Sequence, residues 1–160
     1  MTVWKKSKDW TYETFERDVE PEMLPGFEDL VRLWQAKRGD RPVPAWSDFD
    51  FRDFVGWHGR ITTYEVSHDP FDIRFRLFGE KVAERYRADF TGRLLSELVE
   101  SGQEPAEDMA FYEMAAAKML IARTSGELNW LRRPHVSTTF VEFPLSDTGE
   151  MATHIVSAMI

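Results

Sequence analysis

Four histidines, one strand arginine and a scatter of carboxylates are the residues here that could do chemistry. His58, His68, His135 and His154 are the candidate ligands for a haem iron. His68 lies in Ser67-His68-Asp69, but three such residues in a row read as a turn, and no GxSxG elbow is present. His135 follows Pro134 in a loop-like stretch, and His154 stands on a terminal strand from which it could face a cavity. Histidine and carboxylate spacings do not match a metal site. No GxGxxG or phosphate-loop pattern occurs, so nucleotide binding through those motifs has no support. Acidic pairs such as Glu107-Asp108 read as a solvated helix start. The chain has no cysteine, which excludes disulfides, thiolate metal sites, cysteine nucleophiles and flavin bound covalently through cysteine.

Arg76 sits in Asp72 to Phe78, where Ile73, Phe75 and Leu77 alternate with Arg74, Arg76 and Phe78. That period predicts a half-buried strand with Phe75 and Leu77 facing inward and Arg76 outward. Arg76 is then either a structural arginine, paired with Asp50 or Glu65, or an anchor for an anionic ligand through its planar fork. Gly79 ends the strand, and Gly79→Val is expected to destabilise because a tight exit there would need positive φ. Val82, Ala83 and Tyr86 then mark one face of a short helix, and Thr91-Gly92 precedes another around Leu94, Leu95 and Leu98.

Other elements must complete a domain around these. Phe27, Leu30, Val31 and Trp34 predict an amphipathic helix over 27–37, stopped by Gly39. Ser47 or Asp48 is placed to cap a short helix over 49–55. A strand over 58–66 pairs back with 72–78. The longest predicted helix spans Ala106 to Arg123, opened by Glu104-Pro105 and ended at Gly126. Its stripe of Met109, Tyr112, Ala116 and Met119, with three alanines at 115–117, suits a cavity wall. Three strands follow, over 127–132, 136–145 and 151–159. Residues 1–26 form a separate arm with a marginal helix over 12–19, and its Trp4, Trp10, Tyr12 and Phe15 are candidate interface residues. The fold class is α+β, with one five-stranded antiparallel sheet and helices mostly on one face.

Composition narrows the partners. The 160 residues carry a net charge of −8, which disfavours nucleic acid and anionic membranes. No run approaches the ~18 apolar residues of a membrane span, and no signal-peptide core is present, so the cytoplasm is the expected location.

The order of elements resembles a PAS domain, and the segments WQAKRGDRPVPAWSDFDFRDF, RFRLFGEKVAERY, DFTGRLLSEL and VEFPLSD are similar to a bacterial PAS-like family of small, often stand-alone proteins. The positions that carry the likeness are Trp34, Pro44, Asp50, Arg76, Leu77, Gly79, Thr91, Gly92, Pro144 and Leu145, within residues 27–160. The resemblance implies sheet order 2-1-5-4-3 around a helical cradle, an N-terminal helical extension outside it, and a sensory role. PAS domains bind haem, flavin, small metabolites or nothing, so the cofactor stays unknown. Haem is disfavoured because no histidine lies on the long helix. The cavity-wall candidates are Phe75, Leu77, Tyr86, Tyr112, Ala116, Met119, Trp130 and His154. The reading that results is a non-enzymatic, homodimeric module: a signalling domain that binds a small ligand in its cradle and acts on a protein partner. A ligand-free dimerisation or adaptor module is the alternative. A ketosteroid-isomerase-like enzyme is the remote one, disfavoured by strands that precede the longest helix and by carboxylates placed at helix starts or turns.

Overall fold

Seven antiparallel strands form one sheet in the computed structural model, which describes the backbone of all 160 residues and the side chains of all but 133–135. The elements run β1 (Thr2–Lys6), β2 (Trp10–Phe15), α1 (Glu28–Arg38), β3 (Ile61–Ser67), β4 (Asp72–Phe78), α2 (Glu80–Tyr86), α3 (Leu95–Glu100), α4 (Asp108–Lys118), β5 (Ile121–Leu128), β6 (Arg133–Leu145) and β7 (His154–Met159). The sheet order is β1-β2-β5-β6-β7-β3-β4. The five strands after α1 therefore lie as β4-β3-β7-β6-β5, the 2-1-5-4-3 order expected of them.

The sheet has seven strands rather than five because the N-terminal arm is a hairpin, not a helix. Trp10, Thr11, Tyr12, Thr14 and Phe15 are β-formers, and β2 pairs residue by residue along β5 from Trp10↔Gly126 to Phe15↔Ile121. Trp10, Tyr12 and Phe15 are buried in their own chain's core, which removes them from any interface between copies. Trp4 alone of the four stays partly exposed, packed on the rings of Tyr12 and Phe111.

The helices are split between the two faces. α1 lies on the outer face, where Leu30 and Trp34 meet Phe143, Leu145 and Val156. The Trp34 indole N–H donates to the Pro144 carbonyl at 2.9 Å, so this ring is buried with its polar atom satisfied. Two 3-10 turns follow in place of the helix expected over 49–55. Asp50 caps the second of them, accepting from the Arg52 backbone N–H at 2.8 Å. α2, α3 and α4 cover the inner face.

α4 is shorter than its apolar pattern predicts. It stops at Lys118, Met119 turns left-handed at φ 52°, and Ile121 to Leu128 is strand. Ile121 and Ala122 are both buried, on opposite faces, so the sequence there lacks the alternation that marks a strand. Gly126 lies inside β5, with the Asp9 backbone packed against it, and ends no helix.

Candidate functional site

The inner face of the sheet and helices α2 to α4 enclose a cavity of about 20 Å³, enough for roughly one water. Its apolar wall comes from Ile73, Phe75 and Phe78 on β4, with Val82 and Leu95 above them. Its polar wall is built from five other segments. Trp10 comes from β2, Tyr86 from the end of α2, Glu104 from the loop after α3, Asp108 and Tyr112 from successive turns of α4, and Glu142 from the middle of β6, while Tyr12 of β2 stands behind Asp108.

Three of these groups are carboxyls in the protein interior. Glu104, Asp108 and Glu142 are 8%, 4% and 2% exposed, so the view of the acids as solvated helix starts is overturned for this cluster. Burial raises all three above the usual carboxylate range. Glu104 is raised further by the charge of Asp108 and by donating its proton to that group. Asp108 is raised by burial, with hydrogen bonds from Tyr12 and Glu104 opposing. Glu142 is pushed up to about 8 by burial, against a hydrogen bond from Tyr112. The Tyr12 hydroxyl donates to Asp108 Oδ1 at 2.7 Å, and Tyr112 donates to Glu142 Oε1 at 3.2 Å. Burial first, and then the neighbouring carboxyls, raise the hydroxyls of Tyr12, Tyr86 and Tyr112; burial and Glu142 do the same for Tyr64.

Three buried side-chain atoms find no partner among the described residues: Trp10 Nε1, Thr124 Oγ1 and Glu142 Oε2. All three belong to the lining of this one cavity. Buried polar atoms are rarely left unpaired, because desolvation without a bond costs about 1–3 kcal/mol each. Unmet hydrogen-bonding capacity is therefore concentrated in the residues that line one cavity.

Of the residues singled out in the sequence, Phe75, Tyr86 and Tyr112 line this cavity. Leu77 does not. β3 and β4 slip register between Thr62↔Phe78 and Tyr64↔Phe75, so β4 carries one extra residue there. That bulge turns Leu77 out to 49% exposure on the opposite face and brings Phe78 inward. Ala116 borders a smaller void behind Tyr112, and Met119 is buried at the end of α4. Trp130 packs edge-on against Trp10 and donates to the Gln103 carbonyl at 3.0 Å, outside the cavity. Arg76 faces solvent and pairs with Glu65 at 2.8 Å, the structural role set out above.

His154 is on the outer face, stacked on Trp46 and beside Asp147. His58 stacks on Phe51, and His68 is half-buried with Nε2 2.8 Å from the Ala152 carbonyl oxygen. The side chain of His135 lies outside the described residues. No histidine among the described residues lines the cavity, and its volume is far below that of a macrocycle, so the site does not fit haem. Nor do the described residues hold a group of three ligands close enough for a metal ion.

Sequence reasoning missed Glu104, Asp108 and Glu142. Two signals were available: Glu104 and Asp108 are four apart, and Glu142 interrupts the apolar run Val141 to Leu145.

No family model and no curated protein matches the chain. A solved structure described as an RNA-binding Light-Oxygen-Voltage receptor is similar at 15% identity and a TM-score of 0.46. The match covers 66% of this chain and 31% of that one, so the chain spans less than a third of the receptor's length. No described helix is long and apolar enough to cross a membrane.

Proposed function

We propose that this chain is a PAS-like, non-enzymatic signalling module that binds a small ligand in its cradle and acts through protein–protein contact as a homodimer. The observation that carries the reading is that Trp10, Thr124 and Glu142, each with an unpaired buried polar atom, all line one cavity on the inner face of a β4-β3-β7-β6-β5 sheet. Buried polar atoms around one cavity are the groups that orient a small ligand, or the ordered water it displaces. The raised carboxyls are also of the kind that serve as general acids. The cavity is water-sized, and no histidine or lysine among the described residues lines it to activate a hydroxyl, which favours recognition over turnover. The charge of −8 supports a partner other than nucleic acid.

A second reading, the ligand-free adaptor, is favoured by a different observation. Trp46, Phe51 and Leu77 line one exposed apolar patch on the outer side, the kind of surface that marks protein contact. Native mass spectrometry of freshly purified protein separates the two. A reproducible added small-molecule mass supports the sensor, and a clean apo dimer supports the adaptor.

A further inference from the structure

Among the described residues the cradle is lined by acids, phenols and aromatic rings, and by no lysine, arginine or histidine. We propose that it takes a small organic ammonium cation bearing a hydroxyl, with Glu142 and Thr124 accepting from the ligand and Trp10 donating to it. This deepens the reading of the cradle as a ligand site and rests on it.

The geometry selects the ligand class by elimination. An anion would find no positive side chain among the described lining residues to pair with, and its charge would oppose any ionisation of Glu104, Asp108 and Glu142. A metal ion needs ligands that converge on a point, which the described carboxyls do not. An organic cation needs neither. Its N–H groups supply donors for Glu142 Oε2 and Thr124 Oγ1, both nearly fully buried, at 2% and 1% residue exposure. Trp10, Tyr64 and Phe78 add aromatic rings to the lining, which can stabilise a desolvated cation. The remaining unpaired atom, the Trp10 indole N–H, requires an acceptor, and a hydroxyl on the ligand provides it.

Of the lining residues only Phe78 and Tyr86 are half-buried, so the side they form is the thinnest cover over the cradle. Anything larger than a water requires those rings to turn. The other charged groups near the cradle are already engaged. Glu107, at the start of α4, pairs with Lys5, and Arg85 of α2 donates to the Thr138 hydroxyl and the Ser137 carbonyl. Binding a cation next to neutral carboxyls favours their ionised form, so protons leave as the ligand enters.

The test compares three molecules of similar size on the full chain at pH 7: ethanolamine as the cation, ethylene glycol as the neutral counterpart and glycolate as the anion. Ethanolamine alone is expected to raise Tm, by roughly 3 to 6 °C at ten times its Kd. Calorimetry in two buffers of different ionisation enthalpy should register net proton release. Glu142→Gln should weaken binding at least tenfold and reduce the release; Thr124→Val, which removes no charge, should weaken it too. Equal or greater stabilisation by ethylene glycol or glycolate overturns the cation assignment while leaving the cradle a ligand site. No shift with any probe, together with a neutral or anionic adduct in native mass spectrometry, does the same. No shift and a clean apo mass overturns both readings.

Discussion

Stability should fall as pH rises through neutrality, the reverse of what paired surface carboxylates give. In the folded chain Glu142 keeps its proton up to about 8, whereas an unperturbed glutamate releases it near 4.5. Between those values the folded state holds a proton that the unfolded chain has lost, so each step up in pH favours unfolding. A fully protonated group of this kind contributes a slope of up to about 1.4 kcal/mol per pH unit. Integrated from pH 5 to 8, Glu142 alone removes on the order of 3 kcal/mol. Glu104 and Asp108 are raised as well and act in the same direction. Asp48, Asp53 and Glu97 are held below their usual range, by backbone hydrogen bonds for the aspartates and by Arg93 for Glu97. Their contribution is present above the ordinary carboxylate range and is lost only as pH falls below it, outside this window. Urea unfolding followed by tryptophan fluorescence at pH 5, 6, 7 and 8 measures the trend. Glu142→Gln should flatten it, matching the parent near pH 5 and exceeding its stability at pH 8. A profile that is level or rising from 5 to 8, or a variant with the parent's slope, refutes the argument.

Gly79 leaves β4 against the backbone of Gly59 and Ile61, where an added Cβ would lie 2.7 Å from Gly59 C and 2.8 Å from Ile61 O. Its φ is −57°, so the expected harm of Gly79→Val comes from this collision and not from backbone handedness. Gly79→Ala should already cost about 3 kcal/mol in urea unfolding, and a cost under ~1 kcal/mol would show that the strand exit yields. Gly92→Ala, at φ 81° with open space around it, should cost only about 1 kcal/mol; a cost equal to that at Gly79 would put the account of both in error. Deleting residues 1–20 strips Trp10, Tyr12 and Phe15 from the core and bares the β5 edge. The product should lose its cooperative thermal transition or aggregate, and a folded, monodisperse product would contradict the placement of β2. Arg76→Ala should leave the urea unfolding midpoint at the parent's value, since both partners of the Arg76–Glu65 pair are half-exposed; a clear drop in the midpoint would assign Arg76 a role beyond that pair.

Much of the fold was legible because it is written in periodicity. The alternation of Ile73, Phe75 and Arg74 gave β4, and the i, i+3, i+4, i+7 spacing of Phe27, Leu30, Val31 and Trp34 gave α1. What escaped depended on tertiary pairing. The bulge opposite Thr62 and Tyr64 belongs to two strands at once, and it alone reverses Leu77 and Phe78. The arm reads as mixed charge and aromatics until β5 is there to pair with, after which Tyr12 and Thr14 fall inward and Glu13 meets Arg123 at 2.6 Å on the outer face. The site itself was the least legible part. Aspartate at a helix start is ordinarily solvated, and nothing local tells that Asp108 is covered by Tyr12 from the far end of the sheet. Glu142 was the clearest signal passed over: a carboxylate amid Val141, Phe143, Pro144 and Leu145 has no apolar role, so it needs partners that only the closed cradle supplies.

The protonation state of Glu142 tests the central claim, that neutral buried carboxyls form the recognising wall of the cradle. Carboxyl carbon NMR of the labelled chain reads it directly. The free protein should show the resonance of a neutral acid at pH 7, moving to that of a carboxylate when ethanolamine is added. A Glu142 resonance already ionised at pH 5, or one that ignores the amine, would contradict the account.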